Sequence, residues 1–148
     1  MKRKRIDHPE QGAAAVEFAL ILPLLSVLLF GIIEFGILFY NKAMITNASR
    51  EGARAGIVYD FPTRPSDADI ASIVVAYCGS HLITFGDPTQ VPSTSVTRNG
   101  TGTGADLSVT VGYDYDFLLL PNFLGAFFSN TQLSNRISLQ ATTVMRLE

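Results

Sequence analysis

From Gly12 to Tyr40 the chain is almost continuously apolar and carries only two charges, Glu17 and Glu34. At 1.5 Å per residue, a helix over Ala13 to Tyr40 is roughly 42 Å long, against about 30 Å of bilayer hydrocarbon. The run is therefore long enough to cross a membrane. Pro23 lies inside it and removes one helix hydrogen bond, which predicts a kink near residues 19 to 23. Helical periodicity continues from Asn41 to Val58, with Met44, Ala48, Gly52 and Ala55 at three- and four-residue steps. Ala48, Gly52 and Gly56 form a stripe of small residues that admits another backbone, either the protein's own sheet or a neighbouring helix. Two prolines in Asp60-Phe61-Pro62-Thr63-Arg64-Pro65 end the periodicity.

A second helix is predicted from Ser66, the N-cap, with Asp69 three residues on in the manner of a capping box. Ile70, Ile73, Val74 and Tyr77 share one of its faces, and Gly79 marks its expected end. The period then changes to two. Leu107, Val109, Val111, Tyr113, Tyr115 and Phe117 alternate with Asp106, Ser108, Thr110, Gly112, Asp114 and Asp116, the pattern of a half-buried strand. Thr94 to Arg98 pairs with it through the glycine-rich loop Asn99 to Gly104. A final strand turns Ile137, Leu139, Ala141, Thr143, Met145 and Leu147 inward, against the Leu107 strand. Between them, Pro121 to Phe128 is an aromatic-rich crossover expected to hold one helical turn, as a core cap or a sticky surface patch. The fold class is α+β: a long N-terminal helix packed on a small antiparallel sheet of three or four strands, with one additional helix.

Charge sharpens this division. Of 11 basic and 13 acidic residues, Lys2, Arg3, Lys4 and Arg5 precede the apolar run with only Asp7 and Glu10 beside them. The rest of the chain is acidic, and its scattered arginines make no stripe for a nucleic-acid backbone. Because Lys and Arg stay on the cytoplasmic side, the amino terminus is expected inside and everything after Tyr40 outside.

Candidate chemistry is sparse. Cys78 is the only cysteine and so forms no intramolecular disulfide. With His8 in the leader and His81 the only other histidine, neither a zinc spacing nor a Cys/His nucleophile pair can be assembled. Ser80 beside His81 is mere adjacency, and the glycine-rich loop lacks the pattern and context of a phosphate cradle. Asp114 and Asp116, at i and i+2, read as a solvated strand face or, with a third oxygen, as a calcium site. No cofactor or metal is expected, and an enzyme is the last-ranked reading.

The junction between leader and apolar run carries a family resemblance. Gln11-Gly12-Ala13-Ala14-Ala15-Val16-Glu17-Phe18 resembles the processing site of type IV prepilins, where a prepilin peptidase cuts after the glycine and a glutamate stands fifth in the mature chain. Counted from Ala13, Glu17 is fifth. The segment from Gly12 to Ile37, the stretch Asn47 to Ala55 and the ending Ser138 to Glu148 are similar to TadE-like proteins, the minor pseudopilins of tight-adherence (Flp, type IVc) pilus systems. A secretory signal peptide fits less well, because its apolar core is about 7–15 residues and its cleavage site follows that core.

The resemblance implies a leader at 1–12, a transmembrane helix at 13–40, its amphipathic continuation at 41–59 and an extracytoplasmic domain at 60–148. It implies Gly12 and Ala13 as the processing site and Glu17, Phe18 and Glu34 as assembly residues. The implied partners are prepilin peptidase, other pilins or pseudopilins, the inner-membrane platform and membrane lipid. Physics gives Glu17 its own interest, since a charged side chain at a helix centre in lipid costs about 2.5–3.5 kcal/mol on insertion scales and less near the edge. Cleavage before Ala13 frees an amine about one turn away that can neutralise it. Glu34, about 20 residues further on, falls at the outer interface or meets a partner helix. The rival reading is a single-pass anchor carrying an extracytoplasmic binding module.

Overall fold

A computed structural model describes residues 9–58, 64–85, 90–100, 102–118, 121, 125 and 135–147. Helix α1, Pro9–Ile57, is continuous over 49 residues. Proline is favoured at a first helical position, where the missing N–H would have had no partner anyway. The helix continues through Pro23. Ser26 Oγ donates to the Leu22 carbonyl at 2.8 Å, one turn beyond the Ala19 carbonyl that Pro23 leaves without its backbone donor.

Helix α2, Asp67–His81, begins with the expected capping box. Asp69 N donates to Ser66 Oγ at 3.2 Å, and Ser66 N donates to Asp69 Oδ2 at 2.9 Å. It runs two residues past Gly79 and stops at Leu82, which is extended and donates its N–H to the Cys78 carbonyl at 2.8 Å. Strands β1 (Ser93–Asn99), β2 (Asp106–Asp116) and β3 (Arg136–Arg146) form an antiparallel sheet in the order β1-β2-β3. Gly100 and Gly104 take left-handed φ values of 108° and 89° in the β1–β2 connection, where a side chain would be strained. Of the crossover at 121–128, only Pro121 and Gly125 are described, both helical.

Alternation puts Leu107, Val109, Val111, Tyr113 and Tyr115 of β2 on the inner face, all buried, beside Leu139 and Ala141 of β3. Leu38, Ile45, Ala48 and Ala53 of α1 and Ile70, Val74 and Cys78 of α2 cover that face. The small-residue stripe serves this packing. A β-carbon placed on Gly52 would stand 2.6 Å from Val74 Cγ2, and one on Gly56 would stand 2.5 Å from Leu107 Cδ2 and 2.6 Å from Ile70 Cδ1. Hence the stripe receives the protein's own head. Ile137, expected inward, is 42% exposed, because β3 begins there at the end of the sheet, beyond the centre of the core.

Candidate functional site

Helix α1 has two regimes. From Gly12 to Ile33 no residue is buried: each is exposed or intermediate, with Phe18 at 62% and Leu20 at 75%. From Glu34 onward, buried positions recur at Glu34, Leu38, Asn41, Ile45, Ala48, Gly52 and Gly56, the three- and four-residue spacing of a helix laid along a core. The boundary falls at a carboxylate.

At the exposed end, Gly12, Ala13, Glu17 and Phe18 all face outward. The Gly12–Ala13 bond lies inside α1, and a β-carbon on Gly12 would meet nothing within 4 Å. Ala13 and Glu17 stand one turn apart on the same side of the helix. No described residue pairs with the Glu17 carboxylate.

Glu34 is in different surroundings. It is only 3% exposed, and its Oε1 accepts the Leu118 backbone N–H. Tyr115 Oη donates to the Glu34 carbonyl at 3.4 Å, and the Phe35 ring meets Phe117 edge-on at 6.2 Å between centroids. Burial, then the nearby Glu34 carboxylate, pushes the Tyr115 phenol from its ordinary 10.0 up to about 12. Glu34 thus ties the helix to the end of β2.

More polar ties follow up the seam. Buried Asn41 makes a reciprocal pair with the backbone of Ile83, donating from Nδ2 at 2.9 Å and accepting at Oδ1 at 3.0 Å. That pair replaces the ladder that the segment after α2 lacks. Lys42 Nζ donates to the Gln140 carbonyl, and Ser49 Oγ meets Thr143 Oγ1 at 2.7 Å. Asn41, Lys42 and Ser49 were not singled out from sequence. The usable signal was there: polar residues one heptad apart, at 34 and 41, on the same stripe as Leu38, Ile45 and Ala48.

The other polar candidates are engaged elsewhere. Asp116 accepts a two-pronged bond from Arg136 at 2.8 and 3.0 Å and another from Gln90 at 2.8 Å. The guanidinium holds its carboxyl below the usual range. Asp114 accepts from Ser138 Oγ. Among the described residues no three His, Cys, Asp or Glu side chains gather as a metal site. Cys78 is buried in the core, which raises its thiol to about 11. Ser80 donates to the Ala76 carbonyl, while His81 stacks on Tyr77 with centroids 4.3 Å apart. The outer face of the sheet holds an open groove of about 570 Å³ whose lining includes Ser93, Ser95, Thr110, Gly112 and Gln140.

Residues 12–54 match the family model described as TadE-like protein. The match covers both regimes of α1 and stops before the second helix. No curated protein and no solved structure matches the chain.

Proposed function

We propose that this protein is a minor pseudopilin of the tight-adherence (type IVc) pilus, held in the bacterial inner membrane by α1 and cut by prepilin peptidase between Gly12 and Ala13. The observation that carries the proposal is the change of regime at Glu34. Residues 13–33 are the stretch of α1 without a buried position, and 21 residues at 1.5 Å make about 31 Å, the thickness of the hydrocarbon. The span is accordingly shorter than the apolar run, because the head already flanks residues 34–40. Its helix is apolar enough to cross, with a mean hydropathy of 2.5 in its best window. Lys2 to Arg5 keep the amino terminus in the cytoplasm and leave the head outside.

In this reading the chain does structural work. Cleavage gives Ala13 a free ammonium one turn from Glu17, and the two charges offset each other where the helix enters lipid. Paired between neighbouring subunits, they set axial register, with Phe18 packing beside them. Gly12 suits the peptidase because it offers no side chain at the scissile bond. Since that bond lies in a helical turn of the uncut chain, the enzyme has to unwind the turn to reach it.

Intact-mass measurement of the protein from membranes tests the reading. The native chain is expected to start at Ala13, and Gly12→Leu, whose β-carbon meets nothing within 4 Å, is expected to retain residues 1–12. A native chain that keeps its leader makes α1 a plain tether for a binding module. Trimming of Gly12→Leu as in the native chain removes the peptidase from the account.

A further inference from the structure

Among the described residues of the head, exposed aromatic surface is concentrated at one end. Strand β2 runs antiparallel to α1: Leu107 lies against Gly56, Val109 against Gly52, and Leu118, just past the strand, bonds Glu34. The Glu34 end of the head is therefore the end from which residues 12–33 of the helix emerge. Outside residues 12–33, the exposed aromatic residues among those described are Phe35, Phe39, Tyr40 and Phe85, with exposures of 41–66%. The first three rise from the level of Glu34 to about 9 Å above it. Phe85 comes down from the Asn41–Ile83 pair and lines a small cavity together with Phe117 and Leu118. Leu118 at 49% and Ile137 at 42% complete this rim. The other exposed apolar residues of the head, such as Val75, Val91 and Val144, are single aliphatic side chains on other faces, which is ordinary for a protein surface.

Two features set this rim apart from a chance patch. Phe85 has φ of 49°, a left-handed backbone that is an outlier for a bulky residue, and it holds an exposed ring there. Two acids at this end are also engaged: Glu34 is buried on the Leu118 N–H, and Asp116 is held by Arg136. We propose that the rim docks the head in the headgroup layer of the same bilayer that α1 crosses. The proposal rests on the reading of residues 13–33 as the span. If hydrocarbon ends near Ile33, the headgroup layer of that leaflet covers about the next 5–8 Å, the height of the aromatic rim. Aromatic residues are favoured at that depth. The occupant is lipid interface because the rim continues the surface of a helix already in lipid. Docking holds the head upright, so that leaving the membrane requires the rim to be stripped as well as the helix.

The chain has no tryptophan, so single insertions report depth. The full protein is reconstituted in phosphatidylethanolamine–phosphatidylglycerol vesicles with lipids brominated near the headgroup or, in a parallel set, deep in the acyl chains, and emission is read for Leu24→Trp (deep set), Phe85→Trp and Leu118→Trp (headgroup set) and Val144→Trp (both). Val144 pairs with Ser108 at the far end of the sheet, in the region of Gly52, about 27 Å above Glu34. Docking predicts blue-shifted, bromolipid-quenched emission at positions 85 and 118 as well as at 24, and quenching of position 144 by aqueous acrylamide alone. Should position 24 be quenched while 85 and 118 behave like 144, docking is refuted and the span stands. Shielding of 85 and 118 from both quenchers assigns the rim to a protein partner and also refutes it. Loss of lipid quenching at position 24 removes the span and the docking together.

Discussion

Gly52 and Gly79 are both helical glycines, yet the same change to alanine should move stability in opposite directions. In α2, a β-carbon on Gly79 meets nothing within 4 Å, so alanine brings only its helix preference, about 0.8–1.0 kcal/mol. In α1, a β-carbon on Gly52 stands 2.6 Å from Val74 Cγ2 and 3.4 Å from Val109 Cγ1. Val74 cannot swing clear, because a β-branched side chain in a helix has one strongly preferred χ1. The two helices must separate instead, at an overpacking cost of about 1–3 kcal/mol that exceeds the propensity gain. One kcal/mol moves the midpoint of a head this size by roughly 4–8 °C. Thermal melts of the full chain in detergent, followed by circular dichroism, should show Gly79→Ala about that much higher and Gly52→Ala about that much lower. If Gly52→Ala rises with Gly79→Ala, α2 does not lie on the small-residue stripe. That stripe would then be open to a neighbouring subunit, and the division of α1 into a bare half and a head-bound half would have to be redrawn.

Glu34→Ala should leave the Leu118 N–H without its acceptor at a cost of about 1–3 kcal/mol, seen as faster hydrogen exchange at Leu118 and a lower midpoint. Glu34→Gln keeps an acceptor oxygen and should lose less; equal exchange in both variants and the native protein would contradict the latch. Glu17→Ala should still be cut and inserted but fail to enter pili, so native pilus yield from that strain would argue against a register role. Tyr115 and Cys78 both hold their protons to higher pH in the folded head than in the unfolded chain, at about 12 against 10.0 and about 11 against 9.0. Their stabilising effect is therefore whole below about pH 9 and is lost as the pH rises towards 12. Denaturant midpoints should fall across that window and Cys78→Ala should remove the earlier part of the fall, while a midpoint unchanged to pH 12 would place both groups in water.

Patterns that act over a few residues were legible in the chain itself. The apolar run predicts α1, Ser66 with Asp69 predicts the start of α2, and alternation at Leu107 to Tyr115 predicts both the strand and its inward face, because capping, helical period and pleat are set by near neighbours. Gly12 and Glu17 were singled out by the same kind of signal, a spacing along one helix, and their processing and register roles remain proposals. The fate of Glu34 was not. Its acceptor role depends on Leu118, 84 positions away, as Asn41 depends on Ile83 and Lys42 on Gln140. The composition of α1 alone leaves open whether Glu34 meets water, lipid, a partner helix or its own sheet. Nor could it tell which surface the Gly52 and Gly56 stripe receives, or where the buried positions of the apolar helix begin. Those were decided when β2 folded back antiparallel to α1. That packing buries positions of the helix only from residue 34 upward and leaves about one bilayer's thickness of it without a buried residue below.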